Sequence, residues 1–168
     1  MHTIADEVAL INRFKERAPV DVDTLAMALG APVEEVEMDD DISGVLEKKG
    51  GRYRILVNAN HAPTRKRFTI AHELGHFLLH RHMIDSRITD TRAYRTSQAD
   101  AYRGAPIGPK QETEANRFAA NLLMPANLIQ QILRDRRPNN PLDIANDLGV
   151  SKAALAIKLE SMGVHVPT

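Results

Sequence analysis

The segment Arg67–His80, RFTIAHELGHFLLH, constrains this chain more than any other. It sets His72, Glu73 and His76 in HExxH spacing within a helical period that begins at Pro63 or Thr64 and runs to about His80. Residues four apart lie one turn above each other on a helix, so both imidazoles can reach one ion. The glutamate beside the first is placed to take a proton from a water activated by that ion. At about 100° per residue, Ile70, Ala71, Leu74, Phe77 and Leu78 gather on the face opposite the two histidines. The helix has an apolar back that must be buried and a two-histidine front that must be completed. The 168 residues include no cysteine, so disulfides, thiolate metal sites and a cysteine nucleophile are excluded, and any metal rests on His and carboxylate.

HExxH alone is short enough to arise by chance, and a third ligand decides its meaning. Downstream, ETEANRFAANLLMP spans Glu112 to Pro125 and has the pattern of a helix closed by proline. The same angular reckoning places Glu112 with Ala115, Asn116, Ala119 and Leu123, and Glu114 with Arg117 and Asn121 on the other face. A carboxylate on the apolar face of a buried helix is costly unless paired or metal-bound, whereas Glu114 can pair with Arg117 and stay in water. Glu112 is therefore the expected third ligand, Glu114 the alternative, and Asn116 the expected partner of a ligating histidine. His80 lies about 9 Å along the axis from the midpoint of the histidine pair and so is expected near the site or in packing, not on the same ion. It also misses the longer HExxHxxGxxH pattern. His2, His61 and His165 are read as ordinary structural or surface histidines.

The two motifs in this order resemble the ImmA/IrrE family of zinc metallopeptidases, gluzincin-like enzymes that combine HExxH with a glutamate on a following helix. The resemblance is strongest over about residues 67–125; it extends to a leading helix pair, an SGVLE strand, and a VSKAALAIKLESMGV tail similar to that family's helix-turn-helix-like end. It implies a zincin-like fold and a cytoplasmic bacterial or phage-encoded peptidase that cleaves a DNA-binding repressor, often encoded beside it.

The remaining chain fixes the expected architecture. Thr3 with Asp6 and Glu7 caps a helix that ends before Pro19, and a short helix follows from about Asp23 to Leu29, with Gly30 and Pro32 beyond. Near-alternating apolar residues from Val33 to Asn58 give three short strands, with a hairpin at Lys48-Lys49-Gly50-Gly51. Residues 82–111 are polar, show no clear period, and are expected to form a flap beside the cleft. Pro141–Ser151 followed by an Ala-Leu-rich helix has the grammar of a helix-turn-helix, yet its second helix offers only Lys152 and Lys158 against Glu160. The expected fold is α+β: a mostly helical metallopeptidase domain over residues 1–125 with a small three-stranded antiparallel sheet, and a helical, helix-turn-helix-like extension over 126–168.

Twenty-two Lys and Arg balance 22 Asp and Glu, and aromatics are 4% without Trp, so direct nucleic-acid binding is not expected. The first ten residues lack the pattern of a secretory signal, and no apolar run approaches a membrane span; a cytoplasmic location without membrane contact is expected. The expected function is that of a zinc-dependent endopeptidase with one zinc ion per chain. His72, His76 and Glu112 hold the ion, Glu73 is the general base, and the substrate is a helix-turn-helix repressor or antitoxin-like regulator. The competing reading is a non-catalytic module with a structural metal that acts by binding protein or DNA. No motif marks an oxyanion donor; Tyr53, Tyr94, Tyr102, His80 and His82 are the candidates.

Overall fold

The computed structural model describes residues 3–85, 107–135 and 140–166. The chain divides into two compact units, Val22–Ala119 and a second made of Met1–Asp21 with Ala120–Thr168. Tyr94, Tyr102 and most of the expected flap lie outside the described residues. The ends of that stretch are helical: Arg81–Asp85 is a short helix, and Pro109 already opens the helix that carries Glu112.

In the Val22–Ala119 unit, helix α2 (Val22–Leu29) leads into strands β1 (Val33–Val36), β2 (Gly44–Lys49) and β3 (Arg52–Asn58). Helices α3 (Pro63–Leu79) and α4 (Arg81–Asp85) follow, then α5 (Pro109–Leu123), which belongs to this unit as far as Ala119. The sheet order is β1-β3-β2 and the sheet is mixed, which corrects the expected antiparallel arrangement. β2 and β3 form the hairpin, with Gly50 and Gly51 at φ of 57° and 76° as a two-residue turn of right-handed twist requires. β1 pairs with β3 in parallel, from Val33 opposite Ile55 to Val36 opposite Asn58. The reason lies in composition. Ile55, Leu56 and Val57 make β3 the most apolar strand and draw it to the centre, while Glu34 and Glu35 keep β1 at an edge where charge meets water. β2 then serves as the return leg that a parallel pair needs.

Asn58 is fully buried at the end of β3. Its amide nitrogen donates to the carbonyls of Met38 at 3.3 Å, Asp39 at 3.0 Å and Ile42 at 2.8 Å, and so pins the β1–β2 connection to the sheet. One face of the sheet packs on α3, with Leu46, Ile55, Val57, Leu74 and Phe77 all buried. The approach is close. A Cβ at Gly44 would stand 2.5 Å from Thr69 Cγ2 and 2.8 Å from the Leu56 carbonyl oxygen, so only glycine fits. On its other side α3 meets α5, where a Cβ at Gly75 would stand 3.3 Å from Ala115 Cα and 3.1 Å from Phe118 Cδ1.

The other unit is helical. α1 (Ile4–Phe14) starts at a reciprocal capping box between Thr3 and Asp6. The last turn of α5 leads into α6 (Ala126–Asp135), and α7 (Pro141–Leu148) and α8 (Lys152–Ser161) form the helix-turn-helix-like pair. Asn140 and Ser151 cap these last two helices, and Gly149 turns between them at φ 66°.

Candidate metal centre

Along α3 every residue from Thr69 to Phe77 is buried, so the histidine front is covered as well as the apolar back. His72 Nε2 and His76 Nε2 stand 3.2 Å apart. Glu112 brings Oε2 to 3.3 Å from His72 Nε2 and Oε1 to 3.6 Å from His76 Nε2. One ligand atom from each of the three lies within 4.8 Å of the others. The 3.2 Å between the two ring nitrogens is close to the separation of about 3.3–3.4 Å that bonds of about 2.0–2.1 Å give between neighbouring ligand atoms of a tetrahedral ion, and Glu112 sets one oxygen near each ring. His76 is sealed at 1% side-chain exposure and Glu112 is 38% exposed, so the carboxylate side of the cluster remains open to solvent.

The far nitrogens are also engaged. His72 Nδ1 lies 2.7 Å from Asn116 Oδ1, which can only accept, so the ring carries its proton at Nδ1 and turns the Nε2 lone pair to the cluster. His76 Nδ1 lies 2.9 Å from Nδ1 of His80, and His80 Nε2 lies 2.7 Å from Glu114 Oε2. The hydrogen bond from His80, helped by the nearby charges of Lys110 and Arg117, holds the Glu114 carboxyl below its usual range. Glu73 is 3% exposed, and the start of β2 passes it: a Cβ at Gly44 would be 3.8 Å from Glu73 Cγ.

The structure thus gathers His72, His76 and Glu112, while Glu114 bonds to His80 instead of the nearby Arg117. Asn116 sits against His72, and His80 sits behind His76 rather than in the cluster. Tyr53 stacks edge-on against Phe77 at 5.0 Å, and His82 is exposed on α4. Sequence reasoning missed the series His76–His80–Glu114. Its signal was the histidine spacing itself, since His80 repeats the four-residue step from His72 to His76.

The family model of the peptidase M78 group, described as the IrrE N-terminal-like domain, matches residues 20–160. The chain belongs to this family. Within the matched span lie His72, Glu73, His76 and Glu112, and nearly all of the helix-turn-helix-like pair. The radiation response metalloprotease IrrE of Deinococcus deserti is 40% identical over 79 residues, covering 47% of this chain and 25% of that protein. Its counterpart of the same name in Deinococcus radiodurans is 38% identical over 79 residues, covering 47% and 21%. The chain therefore spans a quarter or less of the length of these relatives. A solved Mycobacterium tuberculosis transcriptional regulator shares the fold, with a TM-score of 0.57 over 95% of this chain and 48% of that one, at 15% identity. An M78 domain is a metallopeptidase domain, and a metal is accordingly implied at the cluster. Among the described residues no helix is long and apolar enough to cross a membrane.

Proposed function

We propose that this chain is a zinc-dependent endopeptidase acting in the cytoplasm on a protein substrate, a DNA-binding repressor or antitoxin-like regulator of helix-turn-helix type encoded nearby. The observation that carries this reading is the convergence of His72, His76 and Glu112 into one cluster of ligand atoms, with Glu73 next to His72 in the chain. A purely structural metal would not need a buried glutamate at that position. The repressor class of substrate rests on the family resemblance.

In this mechanism His72, His76 and Glu112 would hold the ion. When bound, zinc supplies Lewis acidity to the scissile carbonyl and to the attacking water. Glu73 takes the proton of that water as it attacks, and delivers it to the leaving amine nitrogen. Asn116 keeps His72 in the tautomer that presents Nε2. β2 is an edge strand whose first residue passes Glu73, and, among the described residues, no strand pairs along its outer side. An extended substrate segment adding to that edge would be carried past the general base.

The test is cleavage of a co-encoded repressor by the wild type and by Glu73→Gln. Glu73→Gln is expected to fold, to hold its zinc, and to lose about 10²–10⁴-fold in rate. Undiminished cleavage would remove Glu73 from its role. The α7–α8 pair is the feature that favours a DNA-binding reading, but the exposed residues of α8 are Lys152, Ala153, Ala156, Ile157, Glu160 and Ser161, a surface with a single exposed cation. It suits packing or partner docking better than phosphate contact.

A further inference from the structure

Behind the ligand cluster two rings and a carboxylate stand in series. His76 and His80 are buried, at 1% and 2% exposure, with ring centroids 5.0 Å apart. His80 is the C-cap of α3, and its backbone N–H donates to the His76 carbonyl at 2.9 Å, so the ring is anchored at its base as well as at both nitrogens.

The proton positions along the series follow from its end. An ionised Glu114 only accepts, so His80 Nε2 donates to it across 2.7 Å. A neutral His80 then has only an acceptor at Nδ1, and His76 Nδ1 donates to that across 2.9 Å. His76 is left with its lone pair on Nε2, the atom that faces His72 and Glu112. The two ligating histidines are thus supported unequally, since His72 ends on the neutral amide of Asn116 whereas His76 ends, through His80, on a carboxylate.

We propose that His80 and Glu114 are positioning residues for the metal: His80 fixes the tautomer and orientation of His76, and Glu114 fixes His80. The assignment rests on the reading of His72, His76 and Glu112 as a metal centre. Outer partners of this kind govern metal affinity, and their loss typically costs about 10–100-fold. Glu114 therefore works at the site without touching the ion. Its carboxylate stabilises the series from the half-exposed surface of α5, at 39% side-chain exposure.

The test uses the full chain and has two readouts, neither of them activity. Long-range ¹H–¹⁵N spectra of the metal-free protein report which nitrogen of His76 carries the proton, and competition with a chromophoric chelator reports zinc affinity. The wild type is expected to show His76 protonated at Nδ1. His80→Ala and Glu114→Ala are expected to shift the ring towards Nε2–H and to weaken zinc binding by about 10–100-fold with one ion per chain still bound at saturation. Glu114→Gln keeps an acceptor oxygen for His80 and is expected to retain the tautomer with a smaller loss. Lys110→Ala, which removes the cation 4.0 Å from the other Glu114 oxygen, is expected to leave both readouts unchanged. Unchanged tautomer and affinity in Glu114→Ala would overturn the assignment, as would outright loss of the ion, which would make Glu114 a ligand. A wild type that takes up no zinc would instead overturn the metal-centre reading, and this assignment with it.

Discussion

At the scale of single residues, the pairing of His72 and His76 was legible because a four-residue step puts both on one helix face. Burial does not separate Glu112 from Glu114, which are 38% and 39% exposed; what separates them is that Glu112 meets His72 and His76 while Glu114 meets His80. The partner of Glu114 was not legible. Sequence spacing favours Arg117, three residues away, but His80, 34 residues back, is a buried donor, and a desolvated donor binds a carboxylate more strongly than an exposed guanidinium does. Asn116 offers a direct check of the His72 side of the centre. Asn116→Ala leaves the His72 Nδ1–H without its acceptor and is expected to lower zinc affinity by about tenfold, measured by chelator competition. Lys158 supplies a prediction in the other unit. Burial first, and then the charge of Lys15, hold its pKa below the usual lysine value, although its Nζ donates to Asn121 Oδ1 at 2.9 Å. The folded state thus binds this proton less tightly than the unfolded chain does, so the charged lysine costs stability at neutral pH, and that cost disappears as pH rises through the folded pKa. Lys158→Met is expected to melt above the wild type at pH 7, with the advantage shrinking towards pH values of about 10.

At the scale of elements, the helices and strands could be read from period and punctuation, and the caps at Thr3 and Ser151, the turn at Gly50-Gly51 and the proline stop after Leu123 stand where those signals lie. Strand order was harder to read. A local hairpin is written in its turn residues, whereas the placement of β3 between β1 and β2 is decided by which strand can afford full burial, a comparison across the whole sheet. The two close approaches around α3 were likewise hidden, because a glycine at an element contact carries no local mark. Gly44→Ala forces a methyl against Thr69 and the Leu56 carbonyl, and overpacking of this kind typically costs about 1–3 kcal/mol. At about 2–4 °C per kcal/mol for a chain of this size, its melting temperature is expected to fall by roughly 2–12 °C. Gly75→Val presses on Ala115 and Phe118 of α5, so it should weaken zinc binding as well as stability by displacing Glu112. A thermal melt together with chelator titration separates the two variants, since Gly44→Ala should lose stability with little change in zinc affinity.

At the scale of the whole molecule, the balanced charge and the single exposed cation of α8 lead to the expectation that this helix-turn-helix-like pair does not grip DNA. A gel shift with random duplex DNA should show no binding at physiological salt, and a retarded band that disappears as salt rises would revive the DNA-binding reading. In this chain a histidine-bearing helix is held against a sheet on one side and a carboxylate-bearing helix on the other. The proposed chemistry requires that the cluster of His72, His76 and Glu112 hold an ion. The decisive measurement is elemental analysis of zinc-saturated, desalted protein for the wild type, His76→Ala, Glu112→Ala and Glu114→Ala. About one zinc per wild-type chain is expected, lost with His76 and with Glu112 and retained with Glu114→Ala. A folded wild type without metal, or a Glu112→Ala chain that keeps its zinc, would overturn the metal centre.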